Sequence, residues 1–280
     1  MEEEMVWEMN WLQSLLYGLV SGFAEFLPIS AEAHRSLLYL MMGMESSPLL
    51  ELIVHVASLL ALILSCWPQL SKLQRERRIA AMPARRRKRQ PDAGSLHDMR
   101  LLRTALVPVL GAFVVYPTLH QVSGNLWLTA LLLLINGVIL YLPPYFPGGS
   151  RNSQSVSALD GILVGLGGAL AVIPGISRIT GITAVGQLRR CDRSYILDIG
   201  LILCIPALIV LIVFDIIALF TAGGATVGFL TCLLASLTAF VGSYLGITFI
   251  RFLAVKVGFS GFAYYSWGAA LFAFILYLTI

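Results

Sequence analysis

Charge is what this chain has least of. Asp, Glu, Lys and Arg make up 12% of its 280 residues and hydrophobic types 58%, and the mean hydropathy is +0.84. Soluble domains carry roughly 25% charged residues, so the deficit excludes an ordinary water-facing surface. Cysteine is scarce too, and Cys66, Cys191, Cys204 and Cys232 show no paired spacing. That excludes a zinc ribbon or disulfide framework and leaves four small hydrophobes. No ring of like charge recurs along the chain, which argues against an ion-conducting pore. Met1–Glu8 holds four Glu and no basic residue, so it does not read as a cleavable signal peptide.

What the chain does have is apolar runs long enough to cross a bilayer, which takes about 20 residues. Its net charge of +4 is unevenly spread: of 19 basic residues, 11 lie between Lys72 and Arg103, including Arg85-Arg86-Arg87-Lys88-Arg89. Such a cluster between two apolar spans is the positive-inside signal. It calls for no nucleic acid, and it predicts a cytoplasmic loop over about 68–100, next to anionic lipid head groups. Counting from that loop gives six spans, at about 49–67, 101–119, 125–142, 195–220, 226–250 and 261–280. Arg189, Arg190, Arg193, Arg251 and Lys256 then fall inside, as does the Pro143-Pro144…Pro147-Gly148-Gly149 connection, and the acidic N-terminus falls outside.

Two stretches resist this count. Residues 11–44 and 159–188 each hold a Pro-containing polar break in the middle, and around the breaks one pattern is written twice. At an offset of 147, Gly18, Leu19, Ala24, Ile29 and Ser30 match Gly165, Leu166, Ala171, Ile176 and Ser177. A full crossing by either stretch would put a basic segment outside. Each therefore reads as a re-entrant hairpin, one entering from each face, as in proteins built from inverted-topology repeats. Non-helical backbone survives at that depth only inside protein or beside a wet cavity. The expected fold is an all-α integral membrane protein with about six transmembrane helices and two re-entrant helical hairpins. It forms one domain over 1–280, with repeats at about 11–143 and 157–280.

Charged groups within the membrane cost on the order of 3 kcal/mol each on insertion scales, so those near the breaks are the candidates for chemistry. Arg178 follows the turn Pro174-Gly175-Ile176-Ser177. Backbone N–H groups at a helix start and a guanidinium fork suit phosphate oxygens, with Ser177, Thr180 and Thr183 as hydroxyl partners. The alternative is a structural Arg178 paired to Glu25 or Glu51. Glu25, Ser30 and His34 surround the first break, where an acid, a hydroxyl and an imidazole supply acid–base or nucleophilic chemistry for P–O cleavage. A structural Glu25–His34 pair is the competing reading. Glu25 could also hold Mg²⁺ or Ca²⁺ against a diphosphate. Glu51 and His55 are four apart and share a helix face; they either orient Glu25 or a metal, or bond each other. Asp198 reads as a helix cap and Asp215 as a helix–helix contact.

At these residues the chain resembles the undecaprenyl-diphosphatase (bacitracin-resistance protein) family. Gly18–His34, GLVSGFAEFLPISAEAH, is similar to the family's Glu/Gln-x-x-x-Glu-Phe-Leu-Pro-x-Ser-Ser-x-x-His pattern. Glu51–Ala61, ELIVHVASLLA, is similar to its next span, and Pro174–Thr183, PGISRITGIT, to its Pro-Gly-x-Ser-Arg-Ser-x-x-Thr motif. The resemblance implies hydrolysis of a polyprenyl diphosphate to the monophosphate, which recycles the lipid carrier of envelope glycans. It also implies a multi-pass plasma-membrane enzyme with a pocket open to the extracytoplasmic side and Glu25, Ser30, His34, Ser177 and Arg178 in it. Its partners would be polyprenyl diphosphate and membrane lipids, with a homodimer as one assembly open to it. Four positions depart from the pattern. Ser21 stands where the family has Glu or Gln, Ala31 replaces the second Ser and Ile179 the Ser after Arg178. Thr183 lies one residue beyond the family's Thr, whose register position is Ile182. Glu32 is the candidate to compensate. The alternative on the same scaffold is a transporter of polyprenyl phosphate or a related anion without hydrolysis.

Overall fold

The computed structural model describes residues 9–44, 46–121, 123–221 and 227–279. Met1–Glu8, to which the signal-peptide and orientation expectations refer, lies outside them. Eleven α-helices follow one another, and no strand occurs among the described residues. Helix α1, Trp11–Glu25, starts at an Asn10–Gln13 capping box and gives way before Pro28; α2, Ala31–Met41, starts at Ser30. Helix α3 is Pro48–Ala81, and α4, Ala93–Ala112, is capped by Asp92. The short α5, Tyr116–His120, precedes α6, Leu126–Tyr141, which Asn125 caps. Helix α7, Ala158–Ala169, leads through a tight turn into α8, Arg178–Leu188. Helices α9, Arg193–Thr221, α10, Phe229–Lys256, and α11, Gly261–Thr279, complete the chain.

Five segments are long and apolar enough to cross a membrane: α3, α6 with the turn after it, α9, α10 and α11. The chain is a helical multi-pass membrane protein. The sixth expected span, about 101–119, takes a different form. Helix α4 begins well before it, in polar sequence, and stops at Ala112, and α5 restarts at Tyr116. Pro117 has no N–H to offer the carbonyl four residues back, and its ring crowds that carbonyl, which favours an interruption there. The basic segment 68–100, expected as a loop, is mostly helical. Helix α3 continues through Pro68 to Ala81, and α4 already holds 93–100.

Both paired stretches fold as helix, break, helix. Helix α1 packs on α10 and α7 on α4, while α3 meets α9 and α6 meets α11. The repeated glycine marks the first two crossings. A Cβ on Gly18 would lie 2.2 Å from the Ala235 carbonyl oxygen, and one on Gly165 would lie 2.3 Å from that of Ala105. Only glycine lets helices approach that closely inside a bilayer, where close packing replaces the hydrophobic drive. The apolar residues of the first break, Phe26, Leu27 and Ile29, are buried in one cluster with Ile179, Leu201 and Cys204. The break is thus anchored in the core.

Candidate active site

The two breaks touch each other. Unpaired backbone groups in an apolar interior need partners, and here the second break supplies them to the first while α6 serves both. The Ser177 hydroxyl donates to the Leu27 carbonyl at 2.9 Å and the Thr180 hydroxyl to that of Pro28 at 3.1 Å. Asn136 of α6, fully buried, joins both: its amide donates to the Pro28 carbonyl at 3.0 Å and its Oδ1 accepts the Ser177 N–H at 3.0 Å. Asn136 was not singled out from sequence. Its isolation in an otherwise apolar span was the available signal, since a lone amide there needs bonding partners.

A small cavity of about 40 Å³ opens where the breaks meet, walled by Glu25, Ser30, Glu32 and Arg35 from the first hairpin and Ser177 and Arg178 from the second. A second compartment of about 100 Å³ adjoins it, sharing Glu32, Arg35 and Tyr116 and reaching Glu51, His55, His120 and Asp215. Across the floor, charges alternate. Arg178 stands 3.7 Å from Glu25 Oε1, Glu25 Oε2 is 3.0 Å from Arg35, and Arg35 Nε is 2.6 Å from Glu51. Ion pairs about 4 Å apart at an effective dielectric near 20 are each worth roughly 4 kcal/mol of Coulomb attraction, so the chain of charges holds itself together.

Its members are fixed from behind. Glu51 accepts from the Tyr17 hydroxyl at 3.0 Å, which sits 2.7 Å from the Tyr39 hydroxyl. Arg35 Nη2 lies 3.2 Å from His55 Nε2, and His55 Nδ1 lies 2.6 Å from Asp215. A guanidinium can only donate, so His55 Nε2 accepts and Nδ1 carries the hydrogen toward Asp215. Glu51 and His55 share a face as expected, and both are directed at Arg35 rather than at each other. Arg178 is held far less: Glu25 at 3.7 Å is its carboxylate neighbour among the described residues.

Ser30 is held in a backbone conformation that side-chain-bearing residues avoid, with φ at 66°. Such strain costs on the order of 1–3 kcal/mol. His34 steadies it, since Nδ1 can only donate to the Ser30 carbonyl, at 2.8 Å, and the Ala33 N–H donates to Ser30 Oγ at 3.4 Å. Nε2 of His34 then accepts from the Tyr265 hydroxyl at 2.8 Å. The imidazole stacks on that ring and is not part of the cavity wall.

The other expected residues divide in the same way. Glu32 bonds His120 at 3.0 Å beside the cavity. The Thr183 hydroxyl is buried and donates to the Ile179 carbonyl at 2.6 Å, one turn from the break. Ser21 is buried with its Oγ unpartnered and does not reach the cavity. Of the departures, Ala31 lines the cavity, whereas Ile179 is fully buried. Asp198 pairs with Arg251 at 3.1 Å instead of capping its helix, and Asp215 joins α9 to α3 through His55. Arg35 is a candidate from sequence as a charged group within the membrane, without an assigned part; beyond Asn136, sequence reasoning gave no role to Tyr17, Tyr39 or Tyr265.

Glu25 is a poor fit to a divalent cation. A dication about 4 Å from each guanidinium would meet roughly 8 kcal/mol of repulsion from each at an effective dielectric near 20. No group of three His, Cys, Asp or Glu that could cage a metal occurs among the described residues.

The two breaks thus bring a guanidinium, a carboxylate and the Ser30 hydroxyl to one cavity in a helical membrane protein. The chain belongs to the bacitracin resistance protein BacA family, whose model matches residues 14–272. It is 26% identical over 276 residues to an undecaprenyl-diphosphatase of Methanobrevibacter smithii, covering 97% of this chain and 99% of the relative. To the undecaprenyl-diphosphatase of Renibacterium salmoninarum it is 28% identical over 274 residues, 96% of each chain. To undecaprenyl-diphosphatase 1 of Shouchella clausii it is 29% identical over 277 residues, covering 95% of this chain and 96% of the relative.

Proposed function

We infer that this protein hydrolyses an undecaprenyl-type polyprenyl diphosphate to the monophosphate and inorganic phosphate, recycling the lipid carrier for envelope glycan synthesis. The observation that carries this reading is Arg178, a cation whose side chain is 10% exposed and whose carboxylate neighbour is 3.7 Å away, at the junction of two breaks in a chain of this family. Arg178 and the first backbone N–H groups of α8 take the phosphoryl oxygens. Glu25 Oε2 is committed to Arg35, so Oε1 is the oxygen that accepts a proton from the attacking water. The water oxygen bonds to the terminal phosphorus and the bond from that phosphorus to the bridging oxygen breaks. The electron pair leaves with the monophosphate. Ser30 donates to a phosphoryl oxygen, and His34 acts through Ser30 by fixing its carbonyl. Ser177 and Thr180 keep the breaks in register, and Thr183 stiffens α8 behind them. No step is routed through Mg²⁺ or Ca²⁺, because the donors at Glu25 do not fit one.

The same reading holds the protein to be a plasma-membrane enzyme with six crossings, α4 and α5 together forming the sixth, and two re-entrant hairpins related as inverted repeats. It is supported by the exchange in packing, α1 on α10 and α7 on α4, and by the charge pattern, which favours a cytoplasmic basic segment; the reading takes the cavity to open to the extracytoplasmic side. Both breaks come from one chain, so the site needs no second copy. Purified protein is expected to release phosphate from a long-chain isoprenyl diphosphate, and His34→Ala or Arg178→Ala to abolish it. Undiminished release by both variants would overturn the reading.

A further inference from the structure

Three acceptors converge on one guanidinium in the floor of this site, each on a different nitrogen. Glu25 meets Arg35 Nη1 at 3.0 Å, Glu51 meets Nε at 2.6 Å and His55 Nε2 meets Nη2 at 3.2 Å. They come from α1 and α3, and Arg35 itself from α2. Carboxylates and imidazoles are ligand types that divalent cations use, but with Arg35 between them these three form no group that could hold a metal. Two of the three are backed in turn by a group that fixes their direction: Tyr17 behind Glu51 and Asp215 behind His55. Backing partners of that kind accompany metal ligands. The position a cation would take is filled by a side chain.

We propose that Arg35 is a resident substitute for a divalent cation: a tethered positive charge in a cradle of Glu25, Glu51 and His55. It positions Glu25 and makes a protein-bound metal unnecessary at that carboxylate. Two observations set Arg35 apart from an ordinary structural arginine. Its side chain is 8% exposed and borders both compartments of the cavity. It also stands between two carboxylates, at 3.0 and 2.6 Å, whereas Arg178, on the other side of Glu25, has its carboxylate neighbour at 3.7 Å. The division is one cation for the carboxylate and one for the phosphate. The proposal deepens the hydrolytic reading above and rests on it only for what the cradle serves. Its test needs no turnover, so the two can fail separately.

Electron paramagnetic resonance of Mn²⁺ titrated into ligand-free, detergent-solubilised protein reads the cradle directly. Wild type is expected to take up no Mn²⁺ there. Arg35→Ala empties the cradle and is expected to bind one Mn²⁺ per chain at least about tenfold more tightly than wild type, a gain lost when Glu51→Gln is added. Arg35→Lys keeps the charge and is expected to stay metal-free, a distinction that a merely structural role would not produce. Mn²⁺ should also raise the unfolding temperature of Arg35→Ala and leave that of wild type unchanged. Stoichiometric Mn²⁺ uptake by wild type that disappears in Glu25→Gln would overturn the proposal, and that measurement stands even if Arg35→Ala does not fold. An Arg35→Ala protein that folds and binds no Mn²⁺ would overturn it equally.

Discussion

The two breaks are written in one pattern but furnished in opposite ways. At the first, Glu25, Arg35, Glu51 and His55 each have at least one close partner, and Ser30 is pinned by His34. At the second, Ser177 and Thr180 are tied across to the first break, while Arg178 keeps a single carboxylate at 3.7 Å. The first break is a framework and the second presents a cation to whatever enters. One break is held still and the other is left available.

The sharpest way to break this contrast is to remove each arginine in turn. Arg178→Ala should lower phosphate release by about 10²–10³-fold, the scale of losing one charge-stabilising donor, with little change in unfolding temperature. Arg35→Ala should do the reverse in kind, costing about 3–5 kcal/mol of stability as its buried carboxylate partners are left uncompensated. Denaturation of the solubilised protein in parallel with a phosphate assay reads both. If the two variants lose stability equally, the contrast is wrong. Ser30→Gly sharpens it further. Glycine accepts φ near 66° without strain, so stability should rise by about 1 kcal/mol while phosphate release falls with the lost hydroxyl. An inactive but stabilised protein would separate the role of the Ser30 hydroxyl from that of its backbone.

The smallest effect lies at the rim. Glu32 accepts a hydrogen bond from His120 Nδ1 at 3.0 Å. His120 is half-exposed, so Glu32→Gln should lower stability by no more than about 1 kcal/mol, read by denaturation of the solubilised protein.

Much of this was legible in the sequence and some of it could not be. The helix–break–helix stretches, five long apolar helices and the Glu51–His55 face follow from apolar length and helical spacing, which the chain states openly. The phase between Glu25 and Arg35 does not, because the irregular backbone of residues 26–30 erases the periodicity that would relate them. His34 and Arg35 are neighbours on a helix, pointing about 100° apart. Only the packing of α11, which brings Tyr265 to one of them, decides that Arg35 faces the cavity. Thr183 was expected among the phosphate ligands from its place in the motif. It instead bonds its own helix, as hydroxyls do when no better partner is near. The interruption at Phe113–Val115 was readable in Pro117, whose missing N–H is local chemistry, but the apolar run hid it.

The crossings at Gly18 and Gly165 carry a further consequence for how the chain can be cut. Since α1 is clasped by α10 and α7 by α4, a fragment ending at residue 143 would keep α1 yet lose its glycine-deep seat. The complementary fragment would leave α7 equally bare. Two such pieces made together have every contact they need, whereas either alone has an open slot along its length. Covalently this is one polypeptide, but mechanically it is a handshake between halves, each of which holds the other's arm.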